Sequence, residues 1–116
     1  MTPLRFNIPL RAVFYRASGN WIAHCLEFDL AGHGATKKDA LRGLGKAIAV
    51  QVEFSIRHGN LDNLFTPAEG KFFRMFAAGK KTAIATGELK LHLEPVTIND
   101  VEAREYSEPD AELASA

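Results

Sequence analysis

The sequence predicts an α+β domain of order β-β-β-α-(α)-β, an antiparallel sheet carrying its helices on one face, and three observations predict it. Apolar residues recur at a two-residue period on either side of the turn cluster Ala17-Ser18-Gly19-Asn20. A long segment opening at Lys37 places Leu41, Leu44, Ile48, Val52 and Ser55 on one stripe of a 3.6-residue helix. The two-residue period then returns at Leu89, Leu91 and Leu93. Strands followed by helices and a further strand, without regular βαβ alternation, define this class.

In the first strand Phe6, Ile8, Leu10, Ala12 and Phe14 alternate with Arg5, Asn7, Pro9, Arg11 and Val13, which predicts one buried face. Pro9 has no N–H to give a ladder, so pairing is expected from Leu10. The turn cluster makes Leu10–Arg16 and Trp21–Glu27 an antiparallel hairpin. Ile22, His24 and Leu26 then share one face of the second strand, and Trp21, Ala23 and Cys25 the other. Leu30-Ala31-Gly32-His33-Gly34 reads as a third, marginal strand: its G-x-G lacks both the third glycine of a dinucleotide fingerprint and the G-K-[ST] of a P-loop.

Thr36 with Asp39 three residues on has the spacing of a capping box, and Gly59 follows Ile56-Arg57-His58 as a C-terminal stop. The helix between them runs about six turns. Ala47, Val50, Phe54 and Ile56 lie outside its apolar stripe, so its second half is expected to be covered on more than one side, by later residues or by a second copy. Thr66-Pro67-Ala68-Glu69 has the chemistry of a second cap, with Thr as N-cap, Pro at N1 and Glu at N3. It predicts a short helix from Pro67 to Ala77 whose Phe72, Phe73, Met75 and Phe76, with Phe65, cover the broad end of the long helix. Lys80-Lys81-Thr82 reads as a solvated loop, Pro95 as the end of the strand through Leu93, residues 96–100 as a turn, and Val101 to Tyr106 as a weak last strand.

One domain over residues 1–106, with its core in 10–60 and an extension over 61–106, accounts for this pattern; residues 107–116 form a loose acidic tail. A composition of 47% hydrophobic and 24% charged residues excludes a disordered chain. Lys+Arg and Asp+Glu both number 14, but Glu105, Glu108, Asp110 and Glu112 fall in the last twelve residues, which hold no base. Residues 1–104 therefore keep 14 bases against ten acids, too mild an excess to predict nucleic-acid binding by itself. A single cysteine excludes an intrachain disulfide and fits a reducing compartment. With no leader pattern and no membrane-length apolar run, the cytoplasm is the expected location.

From Val13 to about Asn60 the pattern resembles the HicB antitoxin family of HicA–HicB toxin–antitoxin systems, taken broadly as HicB-like small domains. The residues that carry the resemblance are Phe14-Tyr15 before the turn, Gly19-Asn20-Trp21-Ile22-Ala23, Cys25-Leu26-Glu27-Phe28-Asp29-Leu30, Gly34-Ala35-Thr36 at the helix cap, and Ala40-Leu41 on its first turn. The resemblance implies a β-β-β-α-β domain of partial RNase H-like fold that, in true antitoxins, neutralises a small mRNA-cleaving toxin. It also implies assembly as dimers or higher oligomers. Many members carry an additional DNA-binding domain, but after Gly59 this chain offers no two-helix unit whose second helix could enter a major groove, so DNA binding is not expected.

The RNase H likeness raises a divalent-metal nuclease as an alternative, with Glu27, Asp29 and Asp39 as candidate carboxylates; Glu27 and Asp29 share a strand face, while Asp39 is better explained by the helix cap. His24, His33 and Cys25 are the candidate zinc ligands, but Cys25 points away from His24, and the plainer expectation is a core histidine, an exposed histidine and a core cysteine. Lys38, Arg42 and Lys46, beside Lys37, present a positive strip that is either a solvated helix face or a contact for RNA or an acidic protein. Phe54, Phe72, Phe73 and Phe76 are the candidate oligomer contacts, the last three also being candidates for the chain's own core. The sequence thus reads as a HicB-like, antitoxin-type protein-binding module, homo-oligomeric, with a HicA-like toxin as candidate partner and no catalytic residue, metal, cofactor or membrane contact. A self-assembling HicB-like protein without a toxin is the remaining alternative.

Overall fold

Ser18 and Gly19 both adopt positive φ, 52° and 80°, between the paired residues Ala17 and Asn20. That is a two-residue turn whose twist matches the strands it joins. It closes the hairpin of β1 (Phe6–Ala17) and β2 (Asn20–Cys25). The computed structural model describes residues 6–82, 91–93 and 96–107. The remaining elements are β3 (Leu30–Gly34), α1 (Lys37–Arg57), a 3₁₀ turn (Leu61–Leu64), α2 (Gly70–Ala78), β4 (Lys80–Lys81), β5 (Leu91–Leu93) and β6 (Val96–Glu105).

The sheet order is β3-β2-β1-β6-β4, with β5 also paired to β6. The chain is therefore α+β, but the sheet is mixed: β6 runs parallel to β1, while the other pairs are antiparallel. Residues 96–100, expected to turn, are strand, and β6 is an inner strand of ten residues. Lys80 and Lys81, expected to be loop, pair with Glu105 and Arg104. Pairing of β1 starts at Phe6, ahead of the expected Leu10, and Pro9 is accommodated where the β1–β6 register shifts. Such an irregularity is where a strand tolerates a missing N–H. Leu89, Pro95 and the tail beyond Ser107 lie outside the described residues.

α1 behaves as its sequence dictates. Thr36 Oγ1 accepts from the Asp39 N–H at 3.1 Å, and Gly59 follows the end of the helix with φ 59°. The whole predicted stripe, Leu41, Leu44, Ile48, Val52 and Ser55, is buried. It packs on Leu10, Ala12, Phe14, Ala23 and Cys25. α1 lies so close to β3 that a Cβ on Gly32 would sit 2.0 Å from Leu44 N.

α2 departs from expectation in its start, its place and its partner. It begins at Gly70, and among the described residues the side chain of Glu69, its N-cap, makes no capping hydrogen bond. Residues 66–69 stay out of the helix because Ala68 N donates to Leu26 O at 2.9 Å, which binds that backbone to the turn after β2; Thr66 Oγ1 donates to Asn63 O instead of capping. The helices also do not share a face. Val13, with Leu26, Ala68 and Phe76, forms a second buried cluster flanked by Tyr15, Phe72, Phe73, Met75 and Tyr106. Alternation along β1 places Val13 and Tyr15 opposite Ala12 and Phe14, so α2 covers the face of the sheet that α1 does not. Arg104 ties β6 to this helix: Nη1 donates to Phe76 O at 3.1 Å and the guanidinium lies 4.4 Å from the ring centre. Phe65 packs edge-on at 5.5 Å to Phe28, a member of the α1-side cluster.

Candidate functional site

Each of the nuclease candidates has a local partner. Residues 26–29 form a turn, not the strand end that would give Glu27 and Asp29 a common face. Glu27 accepts from Arg11 twice, from N at Oε1 and from Nε at Oε2, both at 2.7 Å. Asp29, held at φ 54°, meets His24 Nε2 at 2.7 Å through Oδ1. Asp39 sits under the helix cap, 3.5 Å from Arg42 Nη1. The two carboxylates of the turn thus diverge, one toward β1 and one toward β2.

His24 is buried, its ring 4.0 Å from that of Phe72, and among the described residues its Nδ1 has no hydrogen-bond partner. His33 is exposed on β3, paired in register with Ile22 rather than with His24. Cys25 is buried on the α1 side. Among the described residues, no three His, Cys, Asp or Glu side chains are grouped to hold a metal ion.

Burial pushes the Cys25 thiol up to about 11, and bonds from the Phe28 and Glu27 backbone oppose this only in part. The folded state therefore favours the neutral thiol. Its stabilising effect is complete below the unfolded value near 9 and is lost as pH rises from there toward 11. A thiol-reactive chromogenic disulfide at pH 8 should leave Cys25 unmodified in the native protein and modify it promptly in denaturant; equal rates in both would contradict the burial.

α1 presents two further surfaces. Lys38, Arg42 and Lys46 are exposed along its outer side, in the register expected of a positive strip. Beside the buried stripe, Ala47, Val50, Phe54 and His58 follow one another at helical spacing, with the Phe54 and His58 rings 4.3 Å apart. Val50 is 68% and Phe54 55% exposed. Of the later residues expected to cover this flank, those of α2 are on the other face of the sheet. Of the four aromatic candidates for an oligomer contact, Phe54 is open, Phe72 and Phe73 are half-buried, and Phe76 belongs to the chain's own core.

A groove of about 1050 Å³ runs between α2 and the ends of β1 and β6. Tyr15 and Tyr106 stand side by side in it, since Tyr106 N donates to Phe14 O at 2.8 Å. Phe72 stacks on Tyr15 at 5.9 Å, and α2 adds Lys71 and Arg74. The hairpin contributes Arg16 and Trp21, the guanidinium 5.2 Å from the indole centre. Burial, and secondarily Asp29, hold the Tyr15 phenol above its ordinary value, so it stays a neutral donor. No single stretch of sequence announces this groove, because its residues come from three segments far apart in the chain. The one local signal is Lys71 and Arg74, three apart on one side of α2.

Compared with protein-family models, with curated proteins and with solved structures, the chain matches none. Among the described residues no helix is long and apolar enough to cross a membrane.

Proposed function

We propose that this chain is a HicB-like, antitoxin-type protein-binding module that works by surface contact. With a HicA-like toxin as partner, it would neutralise that toxin by covering its RNA-cleaving residue, without contributing a catalytic group, metal or cofactor. The observation that carries this reading is the exposed flank of α1, Val50, Phe54 and His58 beside half-buried Ala47. A large aromatic held in the open beside a fully packed core stripe is what a protein interface uses as an anchor. The order of three antiparallel strands, a long helix and a later strand in the same sheet agrees with a HicB-like domain. The engagement of Glu27 by Arg11 and of Asp29 by His24 favours contact over nuclease chemistry.

Co-expression of the full chain with the neighbouring small reading frame tests the proposal. The expected result is rescue of growth and a co-purifying partner, both lost in Val50→Ser/Phe54→Ser while the circular dichroism melt is kept. No rescue and no partner would remove the antitoxin role. The same flank favours a second reading, a self-assembling HicB-like protein. Light scattering taken with the co-expression result separates the two: a self-assembling protein without a toxin gives an oligomer that the double substitution converts to monomer, but neither rescue nor a co-purifying partner.

A further inference from the structure

We infer that the groove between α2 and the ends of β1 and β6 binds single-stranded nucleic acid. Its cationic side chains are Arg16, Lys71 and Arg74, and among the described residues no carboxylate lines it. In a chain of zero formal net charge, three bases without an acid are a local concentration of charge. All three side chains belong to exposed residues. Between them lie the rings of Tyr15, Phe72, Tyr106 and Trp21, each half-buried, with Arg16 and Lys37 over the Trp21 ring and Lys71 over that of Phe72, cations that an incoming phosphate would draw off the rings.

This combination fits one chemistry better than its rivals. An acidic peptide would use the bases but has no need of four aromatic rings, and an apolar ligand would use the rings but leave three cations beside it unpaired. A single strand uses both, with phosphates on the cations and unstacked bases on the ring faces. A duplex hides its base faces and would use the cations alone. The volume, about 1050 Å³, is just above the ~300–1000 Å³ range of small-molecule clefts. This surface is separate from the α1 flank, so the inference stands or falls independently of the antitoxin reading.

Fluorescence anisotropy of labelled 12-nucleotide oligo(U) and oligo(dT) with the full-length protein provides the test, with emission of Trp21, the only tryptophan, reporting occupancy at the groove. Binding of either strand, with a change in Trp21 emission, is expected. Preference for one identifies RNA or DNA as the natural source. With three phosphate contacts on a single strand, the slope of log K against log salt should be about −2, falling to about −0.7 in Lys71→Ala/Arg74→Ala. Tyr106→Ala should weaken binding by about tenfold or more, and Tyr106→Phe, which keeps the ring, should restore it. Circular dichroism confirms that the variants are folded. The inference is overturned by no binding at 50 mM salt, by equal or tighter binding of a duplex, by equal competition from a poly-glutamate peptide, or by affinity unchanged in both the lysine–arginine and Tyr106→Ala variants.

Discussion

Gly32→Ala should unfold this domain or lower its melting temperature by about 10 °C or more. At Gly32 the added carbon would lie 2.0 Å from Leu44 N, 2.4 Å from Ala40 O and 2.5 Å from Gly43 C. All three are backbone atoms of α1, so relief requires moving the helix from β3, not rotating a side chain. Ordinary overpacking costs about 1–3 kcal/mol, and a clash with rigid backbone belongs at or beyond the top of that range. For a domain of this size each kcal/mol is worth roughly 4–8 °C. Gly70→Ala is the control. Its added carbon would meet only the end of the Arg74 side chain at 3.3 Å, and alanine is the better helix former by about 1 kcal/mol. Thermal melts of both variants decide the matter: a wild-type melt for Gly32→Ala would refute the close seating of α1 on β3.

That contact was not legible in the sequence, although α1 and the hairpin were. Thr36, the five-residue apolar stripe and Gly59 act within a few turns of one another, and Ser18-Gly19 acts within four residues, so local chemistry suffices for both. The role of Gly32 depends on a helix that begins five residues later and packs back on it. β6 was hidden for a different reason. Val96 and Ile98 fall on even positions and Val101 and Ala103 on odd ones, which breaks the alternation that marks a strand. The pairing explains the break: Asn7 is opposite Thr97 and Pro9 opposite Asp100, so β6 carries one more residue than β1 across that step and its phase changes there. Val13 concealed the second layer. Set among Arg11, Pro9 and Asn7 it looks like part of a solvent face, yet with Leu26 it is the floor on which Phe76 rests. The groove inherits that concealment, because it exists only where α2 meets this second face.

Phe14→Ala and Phe54→Ala should have opposite consequences although the substitution is the same. Phe14 is fully buried in the α1-side cluster, flanked by Ala23 on β2 and Glu105 on β6. Neighbours fixed in a sheet collapse poorly into a cavity, so its removal should cost about 3–5 kcal/mol. Domains of this kind hold only about 5–15 kcal/mol in all, so the variant should show a large drop in the urea midpoint with an unchanged slope. Phe54 is 55% exposed, with its ring against that of His58 at 4.3 Å. Its removal should change stability by no more than about 0.5 kcal/mol. What it should change is association, since an anchor that does nothing for its own fold is free to act on another chain. Urea titrations of the two variants at equal concentration, repeated at a tenfold lower one, separate these effects: only Phe54→Ala should abolish any concentration dependence seen in the wild type. A Phe54→Ala variant as unstable as Phe14→Ala would place that ring in the chain's own core and remove the α1 flank as a contact surface.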